Sequence, residues 1–97
     1  MDVVETTHKL QEITRASAVL LETADWAPTK ITTTPDGLSI TVTFTDGTAI
    51  EYRVERMAHD WQIIHTNSEN TVQSEYRTNN NERIVRNWAR TLIREIG

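Results

Sequence analysis

No cysteine occurs among the 97 residues, which removes disulfide staples, thiolate nucleophiles and cysteine-bound zinc from consideration. Only three glycines and two prolines are present, with no P-loop, no dinucleotide fingerprint and no long linker. The serines at 17, 39, 68 and 74 lack a glycine-framed elbow, so none is marked as a nucleophile. Long apolar runs are missing as well. AVLL at 18–21 falls far short of the roughly 20 residues that a membrane-spanning helix needs. The opening MDVVETTHKL is acidic where an export signal would be basic, so a cytoplasmic protein with no membrane segment is expected.

What remains is a chain with 37% hydrophobic and 25% charged residues and clear apolar periodicity, a balance that favours a packed core over disorder. Its length suits one domain, 1–97, because two halves would each be too small to bury a useful core.

The periodicity changes twice. Val3, Leu10, Ile13, Ser17, Leu20, Leu21 and Ala24 recur at helical spacing, which predicts a helix over about 3–23, ended by DWAPTK because Pro28 disfavours helix before it. From TKITTT onward the period is two. LSITVTF and TAIEYRV place Leu38, Ile40, Val42, Phe44, Ile50, Tyr52 and Val54 on one face, and PDG at 35–37 and TDG at 45–47 supply the turns. ERMAHDW reads as an irregular link, WQIIHT as a strand and NSEN as a loop. TVQSEYRT then alternates through Val72, Ser74 and Tyr76.

Asn79 followed by Glu82 resembles a capping box and opens a last helix, on which Ile84, Val85, Trp88, Ala89, Leu92, Ile93 and Ile96 form an apolar stripe. The expected fold is therefore α+β, an antiparallel meander of four to five strands with N- and C-terminal helices packed on one face. Its core should contain Leu10, Ile13, Leu20, Leu21, Ile40, Val42, Phe44, Ile50, Tyr52, Val54, Val85, Leu92 and Ile96, with Tyr76 and Trp88 turned inward.

Charge is segregated along the chain. Residues 1–76 carry twelve acidic and five basic side chains, a balance of −7, whereas residues 77–97 carry two acidic and five basic, a balance of +3. Arg83, Arg86, Arg90 and Arg94 follow one another by three, four and four residues, which puts all four on the helix face opposite the apolar stripe. Such a face is either solvated, with Glu82 pairing Arg86 and Arg90 and Arg94 answering the helix dipole, or it meets an anionic partner. Carboxylates of the sheet, Glu51, Glu55 or Asp60, are alternative internal partners.

HDWQIIH, with His59, Asp60 and His65, is the one metal-like cluster. On a continuous strand the two histidines would lie about 20 Å apart, too far to share an ion. No metal, cofactor or catalytic residue is expected. Spaced carboxylates on the first helix are diluted by Lys9 and Arg15, which weakens any reading as a nucleic-acid mimic.

The function expected is that of a small non-catalytic protein-binding module, an inhibitor, adaptor or regulatory subunit, a type that includes virus- or phage-encoded antagonists of host machinery. Its partner would be a larger protein with an acidic surface, met by Arg83, Arg86, Arg90 and Arg94. Strand edges guarded only by Lys30 and Pro35 would also support a homodimer. The alternatives are a nucleic-acid-associated protein using the arginine-lined helix and a small metal-dependent hydrolase using His59, Asp60 and His65.

Overall fold

The structure, a computed structural model, describes residues 1–23 and 30–96, with side chains through Arg94. In chain order it has α1 (Val3–Glu22), β1 (Lys30–Thr33), β2 (Ser39–Thr43), β3 (Ala49–Arg56), β4 (Trp61–Thr66), β5 (Val72–Thr78) and α2 (Asn81–Ile96). The strands form one antiparallel meander in the order β1-β2-β3-β4-β5. This is the α+β fold that the change of period predicts. α1 packs over β1 and β2, α2 over β4 and β5, and the helices touch each other. Among the described residues no helix is long and apolar enough to cross a membrane.

Three hairpin turns use one device. The side chains of Asp36, Asp46 and Asn67 each accept the backbone N–H two residues ahead, from Leu38, Thr48 and Glu69, all at 2.9 Å. Gly37 and Gly47 take the positive φ that the first two turns require, and Asn70 takes it in the third. ERMAHDW is a tighter feature than the irregular link expected from sequence. β3 runs on to Arg56, which pairs with Trp61, and a short loop closed by Met57 N–H donating to Asp60 C=O turns the chain.

The sheet's inner face carries Ile40, Val42, Tyr52, Val54, Trp61 and Ile63, all buried with Leu10, Leu21, Ile84, Trp88 and Leu92. Ile13, Phe44, Ile50, Tyr76 and Val85 are partly buried against them. One core assignment fails, because Leu20 is 54% exposed, and Ile93, placed in the apolar stripe of the last helix, is 63% exposed. The position expected at Ile96 lies outside the described side chains, and the stop expected from Pro28 outside the described residues.

The reason Leu20 is displaced lies in threonine. The buried face of α1 is centred on Thr6, Leu10, Thr14, Ser17 and Leu21. Thr6 and Thr14 donate their hydroxyls to the carbonyls of Asp2 and Leu10, four residues back, at 2.6 and 2.8 Å. Hydroxyls satisfied in this way can be buried without an unmet hydrogen bond, and hydropathy alone does not reveal it. Thr91 does the same on α2, donating to Asn87 C=O.

Caps set the helix starts. Asp2 accepts Glu5 N–H at 2.8 Å and opens α1. For α2 the cap is Asn80, whose Oδ1 accepts Arg83 N–H at 2.9 Å, so the capping box expected from Asn79 and Glu82 does not form. One residue of offset decides it, since Thr78 Oγ1 accepts Asn80 N–H and holds that residue at the turn.

Two indole N–H groups register α2. Trp61 donates to Asn81 Oδ1 at 2.8 Å, and Asn81 donates in turn to Met1 C=O at 2.9 Å. Trp88 donates to Thr14 Oγ1 at 2.9 Å, joining the helices within the core. Thr14→Val keeps the shape and removes the acceptor, leaving a buried N–H unmet. It should cost about 1–3 kcal/mol, measured by urea denaturation, and a loss below about 0.5 kcal/mol would show that this bond does not join the helices.

The turn aspartates carry a pH signature. Hydrogen bonds from the Thr34 hydroxyl and Leu38 N–H, with Arg53 nearby, hold the Asp36 carboxyl below its ordinary value of 3.8, against a smaller opposing effect of burial. Bonds from the hydroxyl and N–H of Thr48 lower Asp46 likewise. Because the folded values are depressed, the stabilisation is complete above the ordinary value and drains as pH falls through the lowered ones. The Asp36→Asn/Asp46→Asn variant should therefore lose less melting temperature than the wild type between about pH 6 and about pH 2.5. Equal losses in thermal scans would contradict it.

Candidate functional site

α2 is anchored along one side by Ile84, Trp88, Thr91 and Leu92, all buried. At 3.6 residues per turn, Arg83, Arg86, Arg90 and Arg94 fall within an arc of about 80° pointing away from that side, and all four are exposed. Ile93 lies beside Arg86 on the helix circumference, which is why it is exposed too.

The internal partners open to these arginines are engaged elsewhere or out of reach. Among the described residues the ion pairs are Arg53–Asp36 and Arg77–Asp60, with the His65–Glu75 contact a third when the imidazole carries a proton. None includes an α2 arginine, and Glu82 makes no ion pair with Arg86. Glu51 and Glu55 project from the opposite face of the sheet, where Glu51 accepts the Ser39 hydroxyl at 3.0 Å. Asp60 is held by Arg77 through Nε and Nη2, both at 3.0 Å.

Arg90 and Arg94 do more than stand in solvent. With Glu75, Tyr76, Asn87 and Thr91 they line a cleft of about 250 Å³ between β5 and α2. Arg83 and Arg86 are not part of its lining. α2 thus doubles back along β5, so that residues near the end of the strand face the middle of the helix.

A bulge shapes the cleft. Ile63 pairs with Tyr76 but Ile64 with Ser74, leaving Glu75 as the extra residue on β5. Val72, Ser74 and Tyr76 consequently do not share a face, contrary to their alternation. Tyr76 faces the core, while Val72 and Ser74 turn to the other side. The extra residue directs Glu75 toward His65, whose Nδ1 is 3.3 Å from its Oε1. The His65 ring stacks on Tyr52 at 4.4 Å between centroids and 9° between planes. Its Nε2 is buried and has no hydrogen-bond partner among the described residues. Sequence alternation gave no sign of Glu75, because a bulge leaves no mark in hydropathy.

His59, Asp60 and His65 are not brought together. His59 is exposed in the β3–β4 hairpin loop, Asp60 pairs with Arg77, and His65 lies near the far end of β4. Among the described residues no group of three or more histidines and carboxylates could hold a metal ion.

Comparison with protein-family models, with curated proteins and with solved structures finds no match to this chain.

Proposed function

We propose that the chain is a small non-catalytic binding module, an inhibitor, adaptor or regulatory subunit, that occupies an acidic surface of a larger protein with the arginine face of α2. The observation that carries this reading is that four exposed arginines on one helix face have no ion pair among the described residues, in a chain with a net charge of −4. A chain with carboxylates in excess has the means to neutralise such a face internally, and here Asp36 and Asp46 bond to their turns, Glu51 to the Ser39 hydroxyl and Asp60 to Arg77, while Glu75 contacts His65.

A protein partner is favoured over single-stranded nucleic acid by the placement of the aromatic rings. Tyr52, Trp61 and Trp88 are buried, and Tyr76, the one described aromatic in the cleft with Arg90 and Arg94, is partly buried against the core, so the arginines are not interleaved with fully exposed rings among the described residues. The outer sheet face is lined by Ser39, Thr41, Glu51, Arg53, Glu55 and Gln62, which offer no ring for base stacking.

The Arg90→Glu/Arg94→Glu variant tests the reading. A charge contact desolvated at an interface is worth about 2–5 kcal/mol, whereas reversal in the free protein opposes the helix dipole by about 1 kcal/mol per site at most. A protein captured from a nuclease-treated lysate and then purified should bind the variant about 30-fold or more weakly, with only a small change in melting temperature. Unchanged affinity would return the arginines to a solvated face. Loss of capture on nuclease treatment would instead favour the nucleic-acid reading.

A further inference from the structure

We propose that the groove between β5 and α2 takes an extended acidic segment of the partner protein as a sixth strand on the β5 edge, with alternate carboxylates of that segment meeting Arg90 and Arg94. This rests on the arginine face being a partner surface and specifies how the partner engages it. β5 is an end strand of the sheet, and among the described residues no strand pairs with its outer side. Alternate N–H and C=O groups of Val72–Thr78 therefore point away from β4, open to strand addition. α2 overhangs that edge, since Glu75 and Tyr76 line the same cleft as Arg90 and Arg94.

The spacings of helix and strand agree. Arg90 and Arg94 are four residues apart on α2, a rise of about 6 Å at 1.5 Å per residue. Side chains two apart on an extended segment share one face and are separated by about 6.6–6.8 Å. Acidic residues at alternate positions of an added strand thus keep step with the arginines. Backbone pairing would supply affinity, and the arginines would select for charge.

Glu75 shares the cleft, but the bulge turns its carboxylate toward His65 Nδ1, 3.3 Å away, and among the described residues it makes no ion pair with Arg90 or Arg94. Bulges and inward charges are devices that blunt indiscriminate pairing of an exposed edge, so the occupant must bring a matching charge pattern. A second copy of this chain does not bring it. Its own β5, VQSEYRT, holds one carboxylate two residues from an arginine, and its β1, KITT, holds a lysine and no carboxylate.

The probe is a fluorescent peptide of alternating glutamate and threonine, about eight residues long, titrated into the wild-type protein. It is accompanied by one version N-methylated at each glutamate, another at each threonine, and a stapled helical peptide with glutamates four apart. On an edge strand the amides that face β5 all belong to one alternate set. One methylated version should therefore lose about tenfold or more in affinity while the other binds like the parent. The Arg90→Glu/Arg94→Glu variant should lose the parent peptide, and amide shifts should concentrate on Val72–Thr78.

Equal binding of both methylated versions, or tighter binding of the helical peptide, would overturn strand addition while leaving the arginine face a charged partner surface. Binding of the parent undiminished by the arginine reversals would overturn the pairing of carboxylates with Arg90 and Arg94. No binding of the parent up to about 1 mM would overturn the proposal outright.

Discussion

Two buried indole N–H groups fix the helix on which the proposed function depends. A tryptophan can fill a core, but its N–H must find an acceptor once water is excluded. Trp61 finds Asn81 in the first turn of α2, and Trp88 finds Thr14 on α1. The first bond sets where α2 begins above the sheet. The second sets its rotation, because Trp88 can reach Thr14 only with the Ile84–Trp88–Leu92 side turned inward. The arginine arc then faces outward and overhangs β5. Its exposure is a consequence of how the core is satisfied.

The same economy of polar groups runs through the rest of the molecule. Thr6, Thr14 and Thr91 turn their hydroxyls back to helix carbonyls, and Asp36, Asp46 and Asn67 bond to their own turns. Carboxylates of the sheet are similarly occupied, Glu51 by Ser39 and Asp60 by Arg77. With these carboxylates committed locally, the arginines of α2 form no ion pair among the described residues. At physiological salt the screening length is about 8 Å, so remote carboxylates do little to cancel their charge. The local field at the β5–α2 cleft is therefore set by the residues that line it, two arginines, Arg90 and Arg94, against the single carboxylate of Glu75.

Much of the architecture was legible because period and turn chemistry are written locally. PDG and TDG marked two hairpin turns and NSEN a loop, alternation marked Ile40–Val54, and spacing put the four arginines on one face. What was not legible depended on contacts between distant residues or on a single inserted residue. Leu20 looked like core until the threonine hydroxyls were seen to be satisfied within α1. Trp61 and Ile63 were absent from the expected core because ERMAHDW hid a tight hairpin. The bulge at Glu75 broke an alternation that reads as continuous, and with it went the cleft, since neither the inward turn of Glu75 nor its approach to His65 follows from spacing. Asn79 and Asn80 are equivalent cap residues by type, and only the bond from Asn80 N–H to Thr78 chose between them.

The central claim is that α2 is locked through its indole-bearing side while its arginine side forms no ion pair among the described residues. Hydrogen exchange of side-chain N–H groups reads both halves in one sample, with Arg77, paired to Asp60, as an internal standard. The indole N–H of Trp88 should exchange only on global unfolding, with a protection near the full stability of the domain. The Nε–H groups of Arg90 and Arg94 should exchange at the rate of a solvated guanidinium, faster than that of Arg77. Slow exchange at Arg90 and Arg94 in the free protein would contradict the account, because it would mean that the chain already satisfies the charges assigned to a partner.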